Sequence, residues 1–352
     1  MGKHKTRIKK HGGLPTRHRR LFKWLTGVVM AIVVLAGAVW VTFQVSPWPS
    51  ALLIRRQFTQ NDARVSQALQ KYVPPGVVQV QNQHYRANDP DAYLDVFYPE
   101  RTITPQPTIV WMHGGAWVAG NKDGVDNYMQ ILAAQGFTVV SVNYTLAPEK
   151  QYPTPILQLN DALGYLQQHA AQLHIDDTRL ALGGDSAGSQ IVAQMANSIT
   201  SPAYANEIGV QPKLSASKLK ALLLNCGAYD LALPDYHGPF GDFLHTVLWA
   251  YSGTPDFLQD NQLKTASVAN YLTPQFPPAF ITAGNADPLL TQSTELAGRL
   301  QQLHVSTSTL FFPADHQPRL GHEYQFDLDN ADGRQALTQM LDFLHNHVGA
   351  SL

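Results

Sequence analysis

Ser186 lies in Gly184-Asp185-Ser186-Ala187-Gly188, directly after the apolar run Leu180-Ala181-Leu182 and ahead of a helix-like segment. A serine nucleophile on a tight strand-to-helix turn needs small neighbours, because the backbone there is strained and closely approached. The same turn sets the hydroxyl at a helix N-terminus, where backbone N–H groups and the dipole stabilise negative charge developing on a substrate oxygen. Five residues of this kind are a weak signal alone. A second element, His113-Gly114-Gly115-Ala116-Trp117, closes the apolar run Ile109–Met112, and its histidine stands 73 residues before the serine. Its glycines let backbone amides point at a substrate carbonyl oxygen. By itself this is an ordinary Gly-Gly turn after a strand; in this order with the serine turn it points to acyl transfer.

Such a serine requires an acid and then a histidine further along the chain. Asp287, in Gly284-Asn285-Ala286-Asp287-Pro288-Leu289, follows the apolar run Ala279–Ala283 and precedes a helix-like segment. That is where a parallel sheet presents side chains at its C-terminal edge. Asp230 also follows a strand-like run and is its rival. Beyond the next expected strand, Ser306–Phe312, two histidines compete for the base, His316 and His322. His322 is preferred because it stands nearer the final helix-like segment, from Asp329 onward. His304, His345 and His347 fall on or beside helices and read as solvent-facing side chains.

The elements that must carry these residues are legible from Pro107 onward. Thr108–Met112, Thr138–Val142, Leu180–Leu182, Ala221–Leu224 and Ala279–Ala283 are short continuous apolar runs. Between them lie amphipathic segments such as Asp161–Gln172, Ala187–Ser198 and Thr291–Leu303. That alternation predicts an α/β fold with a mostly parallel central sheet covered by helices on both faces. Upstream, Val77–Arg86 alternates like a half-buried strand and Tyr93–Tyr98 reads as its partner. Two stretches do not belong to the sheet pattern: the helix-like 47–72, and 230–265, which is rich in aromatics, Gly and Pro. Both are expected to form a helical cap over the site. Tyr236, Phe240, Phe243, Leu244, Leu248, Trp249 and Tyr251 of the second stretch would build the cap's own small core or touch substrate.

Together these motifs resemble the hormone-sensitive-lipase-like branch of the α/β-hydrolases: HGGAW at 113–117, YTLAPE at 144–149, GDSAG at 184–188, NADPL at 285–289 and GHEYQF at 321–326. The resemblance runs from about Val77 to the C-terminus. It implies an ester-cleaving site with Ser186 as nucleophile, Asp287 and His322 completing the triad, and Gly114, Gly115 and Ala187 holding the oxyanion. Three departures stand out. Thr145 replaces the arginine that usually follows the tyrosine, so an ion pair near Glu149 should be missing. Glu323 stands where the histidine is usually followed by glycine. An N-terminal anchor is not typical of the branch. Glu149 and Asp161 read as structural, and Asp185 as a support for the serine turn that carries no proton.

The formal net charge of −1 conceals an asymmetry: nine of the 25 Lys and Arg fall in residues 1–24, which hold no acid, leaving 16 basic against 26 acidic side chains beyond. An acidic body with a basic head argues against nucleic-acid binding. A single cysteine, Cys226, excludes an intrachain disulfide, and no Cys/His spacing calls for a metal or cofactor. Leu25–Val45 is 21 residues without a charge, which as a helix rises about 31 Å, close to the roughly 30 Å of a bilayer core. Trp24, Trp40 and Trp48 lie near its ends, where indoles favour the interface. The expected organisation is a basic cytoplasmic tail over 1–24, a transmembrane anchor over 25–45 and a catalytic domain over 46–352 outside the membrane. A signal peptide cleaved near Ala36-Gly37-Ala38 is the competing reading, and a soluble helix a third. The histidines His4, His11 and His18 belong to the basic tail.

The expected function is hydrolysis of short to medium acyl esters through an acyl-enzyme intermediate, with a free histidine titrating near ~6.5 as base. An amide or peptide hydrolase with the same machinery and a silent cell-surface binding protein are the alternatives.

Overall fold

The computed structural model describes Gly2 and residues 16–349; Lys3, Lys5, Arg7, Lys9, Lys10, His4 and His11 of the expected basic tail lie outside them. The chain divides after Pro49 into two units, each described by itself.

The first unit is helix α1 (Thr16–Val45). Its stretch Arg19–Val45 is long and apolar enough to cross a membrane, and its apolar side chains are exposed. A signal sequence shares that length and composition.

The second unit is built on one eight-stranded sheet: β1 (Val77–His84), β2 (Tyr93–Pro99), β3 (Gln106–Met112), β4 (Thr138–Val142), β5 (Ile175–Asp185), β6 (Leu219–Asn225), β7 (Ala279–Ala283) and β8 (Thr307–Phe311). Their order is β1-β2-β4-β3-β5-β6-β7-β8. Strand β2 runs antiparallel to both its neighbours, and β4, β3, β5, β6, β7 and β8 are mutually parallel. This is the mostly parallel sheet expected from the alternating runs.

The period of two decides which helix covers which face. Val110, Met112, Leu182, Leu222, Leu224 and Ile281 join one core. It is completed by α4 (Thr154–Gln168), α5 (Ser186–Thr200) and α9 (Leu290–Gln302) through Leu163, Ile191, Met195 and Leu300. The residues between them, Ile109, Trp111, Ala181, Leu223 and Phe280, join the other core. There α3 (Asp126–Ala133) and α10 (Ala331–Val348) contribute Met129, Leu132, Phe343 and Leu344. Both faces are dry, so the strands read as continuous apolar runs.

Helix α2 (Trp48–Leu69) precedes the sheet, and α7 (Gly238–Ser252) occupies the aromatic stretch that broke the alternation. Two short helices, α6 (Pro202–Glu207) and α8 (Asn261–Lys264), complete the fold.

Candidate active site

Strand β5 ends at Asp185 and α5 begins at Ser186, whose φ of 50° marks the sharp turn between them. The small residues are obligatory here: a β-carbon on Gly188 would stand 2.0 Å from the Met112 carbonyl oxygen at the end of β3. Ser186 Oγ is 2.9 Å from His322 Nε2, positioned to donate to it. His322 Nδ1 lies 2.9 and 3.1 Å from the two carboxylate oxygens of Asp287. The Asp287 side chain is fully buried, and one of its oxygens also accepts the Leu289 N–H at 2.7 Å. Asp287 follows β7, and His322 comes from the loop after β8.

The structure thus brings Ser186, Asp287 and His322 into one chain of hydrogen bonds and leaves both rivals elsewhere. His316 Nε2 is 2.9 Å from Asp332 Oδ2, at the start of α10. Asp230 is tied to Gln292, which receives its N–H at 2.7 Å, and faces Arg299 at 3.7 Å.

One assignment requires correction. Gly114 N–H donates to Asp185 Oδ2 at 2.7 Å, so it is already spent and unavailable to an oxyanion. Asp185 also accepts the Trp111 indole N–H at 2.8 Å, and it is this carboxyl that binds the HGGAW loop to the serine turn. Gly114 matters for access: a β-carbon on it would stand 2.3 Å from Asp185 Oδ2. Within this loop the amides of Gly115, Ala116 and Trp117 have no protein acceptor among the described residues, and all three lie at positive φ, 103°, 52° and 60°; Gly115 and Ala116 directly follow the amide that Asp185 takes. Ala187, in the first turn of α5, is the remaining donor on the serine side. The loop is pinned by Tyr144, which stacks on His113 and donates to the His113 and Gly114 carbonyls. Trp117 stacks on Tyr251 and donates to Gln190.

A second correction concerns Glu149. Thr145 does not leave it unpaired, because Arg55 of α2 reaches over and binds both its carboxylate oxygens, at 2.6 and 2.7 Å. The same guanidinium donates to the carbonyls of Val118 and Ala147, and it holds the Glu149 carboxyl below its ordinary 4.5. Asp161 pairs with Lys213 and Arg86.

The electrostatics favour a strong base. Burial disfavours the His322 imidazolium, but Cys226 first, then the Asp287 hydrogen bond and the Glu323 charge, outweigh it and raise the group above its ordinary 6.5. Cys226, unremarked in the sequence beyond its solitude, is buried against this histidine and Asp287. Burial pushes its thiol up to about 11, against the pull of the neighbouring His322. Its place at the end of β6, next to the strand carrying the serine, was the available signal. Asp185 is raised well above its ordinary 3.8, by burial first and then by Glu323.

These groups open onto a cavity of about 350 Å³. Its apolar wall comes from Phe58, Val65 and Leu69 of α2 and from Phe240, Phe243, Leu244 and Val247 of α7. Leu248 and Tyr251, further along α7, are buried in the core instead.

The BD-FAE family model matches residues 94–300. An acetyl esterase of Salmonella choleraesuis (strain SC-B67) is 29% identical over 226 residues, covering 60% of this chain and 65% of the relative. A putative alpha/beta hydrolase of Acanthamoeba polyphaga mimivirus is 26% identical, covering 63% of this chain and 64% of the relative. The chain therefore spans somewhat less than two thirds of the length of these curated relatives. Among solved structures, esterase B from Lactobacillus rhamnosis superimposes with a TM-score of 0.71 at 24% identity, covering 85% of this chain and 96% of that one. The metagenomic carboxylesterase EstE1 superimposes with a TM-score of 0.69 at 20% identity, covering 88% and 99%.

Proposed function

Since the chain belongs to the BD-FAE family, as a hormone-sensitive-lipase-like member with the α/β-hydrolase fold, we propose that it is a serine carboxylester hydrolase with Ser186 as nucleophile. The observation that carries this reading is the unbroken chain Ser186 Oγ to His322 Nε2 to Asp287, at 2.9 Å in each link. In the first half-reaction His322 takes the Ser186 proton as Oγ bonds to the ester carbonyl carbon. The resulting oxyanion is held by the Gly115, Ala116 and Ala187 amides, and His322 returns the proton to the departing alcohol. Water, activated by the same histidine, then releases the acid from the acyl-serine. Asp287 orients the imidazole and stabilises its protonated form.

The apolar wall given by α2 and α7 supports an acyl slot, with the two helices as the cap. In a cavity of about 350 Å³ the slot takes short to medium chains, each methylene gaining up to ~0.8 kcal/mol until it is full. Helix α1 serves as an uncleaved anchor, the basic head keeping the N-terminus cytoplasmic and the catalytic domain outside.

The test is labelling of the full-length protein with a fluorophosphonate, followed by kcat/KM on p-nitrophenyl esters of increasing acyl length. Covalent labelling that Ser186→Ala abolishes, with activity that peaks at a short or medium chain, is the expected result. A wild type that never labels would overturn the hydrolase reading. Activity still climbing at long chains would overturn the short slot.

A further inference from the structure

Glu323 follows the catalytic histidine in the left-handed region, with φ of 60°. Glycine adopts that conformation freely and glutamate does not, so the side chain sits at a position that resists it. Its carboxylate lines the cavity, with Oε1 3.8 Å from His322 Nε2. Asp62, on α2, lines the same cavity. Burial and the charge of Glu323 push the Asp62 carboxyl up to about 6.

The charge on the cavity wall is one-sided. Asp185 is the single lining carboxyl with protein N–H donors, from Trp111 and Gly114. Among the described residues no Lys or Arg lines the cavity, and no cationic side chain other than His322 comes within ion-pair distance of Asp62 or Glu323. His113 is buried and also lines it; its Nδ1 meets the Gly114 carbonyl at 2.8 Å and must carry the proton. Burial lowers its imidazolium to about 4, so Nε2 is a bare lone pair, and it has no partner among the described residues. The wholly buried Tyr128 hydroxyl, on another lining residue, is also without one. Asn61, Asn121 and the Tyr128 hydroxyl can donate as well as accept, but apart from His322 every charged side chain on the cavity wall is a carboxylate. Phe58, Phe240, Phe243 and Trp117 add aromatic rings to its wall, and ring faces attract cations.

We propose that Glu323 and Asp62 make this cavity selective for esters that carry an ammonium group, seated beside the two carboxylates and against the aromatic rings. This rests on the reading of Ser186 as an ester-cleaving nucleophile. The hydrolysis itself is unchanged: Oγ displaces the alcohol, and the charged group contributes binding only. Glu323 acts here as a specificity residue.

The experiment uses the full-length protein in detergent and three acetates that differ in alcohol charge. They are those of choline, of 3,3-dimethylbutanol, its neutral isostere, and of 3-hydroxypropanesulfonate. A unit charge a few ångströms from a partly screened carboxylate changes binding by about tenfold. The expected order of kcat/KM is choline ester above the neutral isostere by about tenfold, with the sulfonate below it by a similar factor. Glu323→Gln and Asp62→Asn should each cut the ratio of choline to neutral ester by about threefold or more. The ratio is the readout, so a general loss of rate in a variant does not disguise the result. A wild-type ratio of one or less overturns the proposal, as does a high ratio that neither variant moves. Hydrolysis of none of the three esters, with no fluorophosphonate labelling, overturns the hydrolase reading and this proposal with it. Labelling and turnover of the neutral ester with no charge preference overturns this proposal alone.

Discussion

Gly115, Ala116, Trp117 and Ser186 on the floor of the cavity all hold positive φ, whereas in α2 no residue does and in α7 only its first, Gly238. The floor is fixed by backbone: strained turns, glycines that leave no room for a β-carbon, and a buried carboxyl, Asp185, tying two loops together. The roof is fixed by side chains: apolar residues of two regular helices, and one guanidinium, Arg55, that bridges α2 to Glu149. Where the backbone must be strained, few residue types are tolerated and geometry tightens to tenths of an ångström. Where side chains fill a slot, many types serve, so position tunes preference without deciding whether the reaction occurs. Substitutions on the floor should therefore remove turnover, and substitutions on the roof should move KM.

The largest effects test the floor. Ser186→Ala should lose on the order of 10⁶ in kcat while keeping its far-ultraviolet circular dichroism. His322→Ala should match it within about tenfold, because the two act as one unit. His316→Ala, which breaks a contact to Asp332 and one with the Phe312 ring, should stay within about tenfold of wild type on the general expectation for residues outside the catalytic unit. If His316→Ala proves the inactive one, the placement of the base is wrong. Asp287→Asn comes next, at about 10⁴ in kcat, since the amide would hold the imidazole in the wrong tautomer. Asp230→Asn is the control, and a comparable loss there would move the acid.

A smaller, graded effect comes from proton binding at His322. The base works only when neutral, and Cys226, Asp287 and Glu323, in that order, raise its imidazolium above 6.5. Activity should thus rise with pH through an inflection on the alkaline side of 6.5, falling about tenfold per unit well below it. A profile with its inflection at or below 6.5, measured as kcat/KM in the wild type, would mean that burial outweighs these three neighbours.

The same contrast explains what was legible in the sequence. The sheet and the Ser186 turn were readable because dry strands and strained turns restrict residue choice locally. Gly114 was misread as an oxyanion donor because the acceptor that claims its N–H, Asp185, lies 71 residues away. Thr145 in place of arginine pointed to a lost ion pair, and nothing local reveals that Arg55, 94 residues before Glu149, supplies the charge instead. The stretch that became α2 read as a helix and the one that became α7 only as a break in the pattern, both expected as a cap. Which of their apolar residues reach the cavity, such as Phe243, and which stay in the core, such as Leu248, depends on the docked helix.

The smallest effect is the most informative about the roof. Arg55 donates to both Glu149 oxygens and to two backbone carbonyls, Val118 and Ala147. Lysine offers a single ammonium and cannot form that fork, so Arg55→Lys keeps the charge while loosening α2. The side chains of Arg55 and Glu149 are 23% and 37% exposed, so solvent screens the pair, and a double-mutant cycle with Glu149→Gln should return a coupling of about 1 kcal/mol in stability. Because α2 carries Phe58, Val65 and Leu69 into the cavity wall, KM for a medium-chain ester should rise about threefold, with kcat changing by less. The opposite split, a fallen kcat with an unmoved KM, would show Arg55 acting through the carbonyls of Val118 and Ala147 on the oxyanion loop, and the division between floor and roof would fail at that residue.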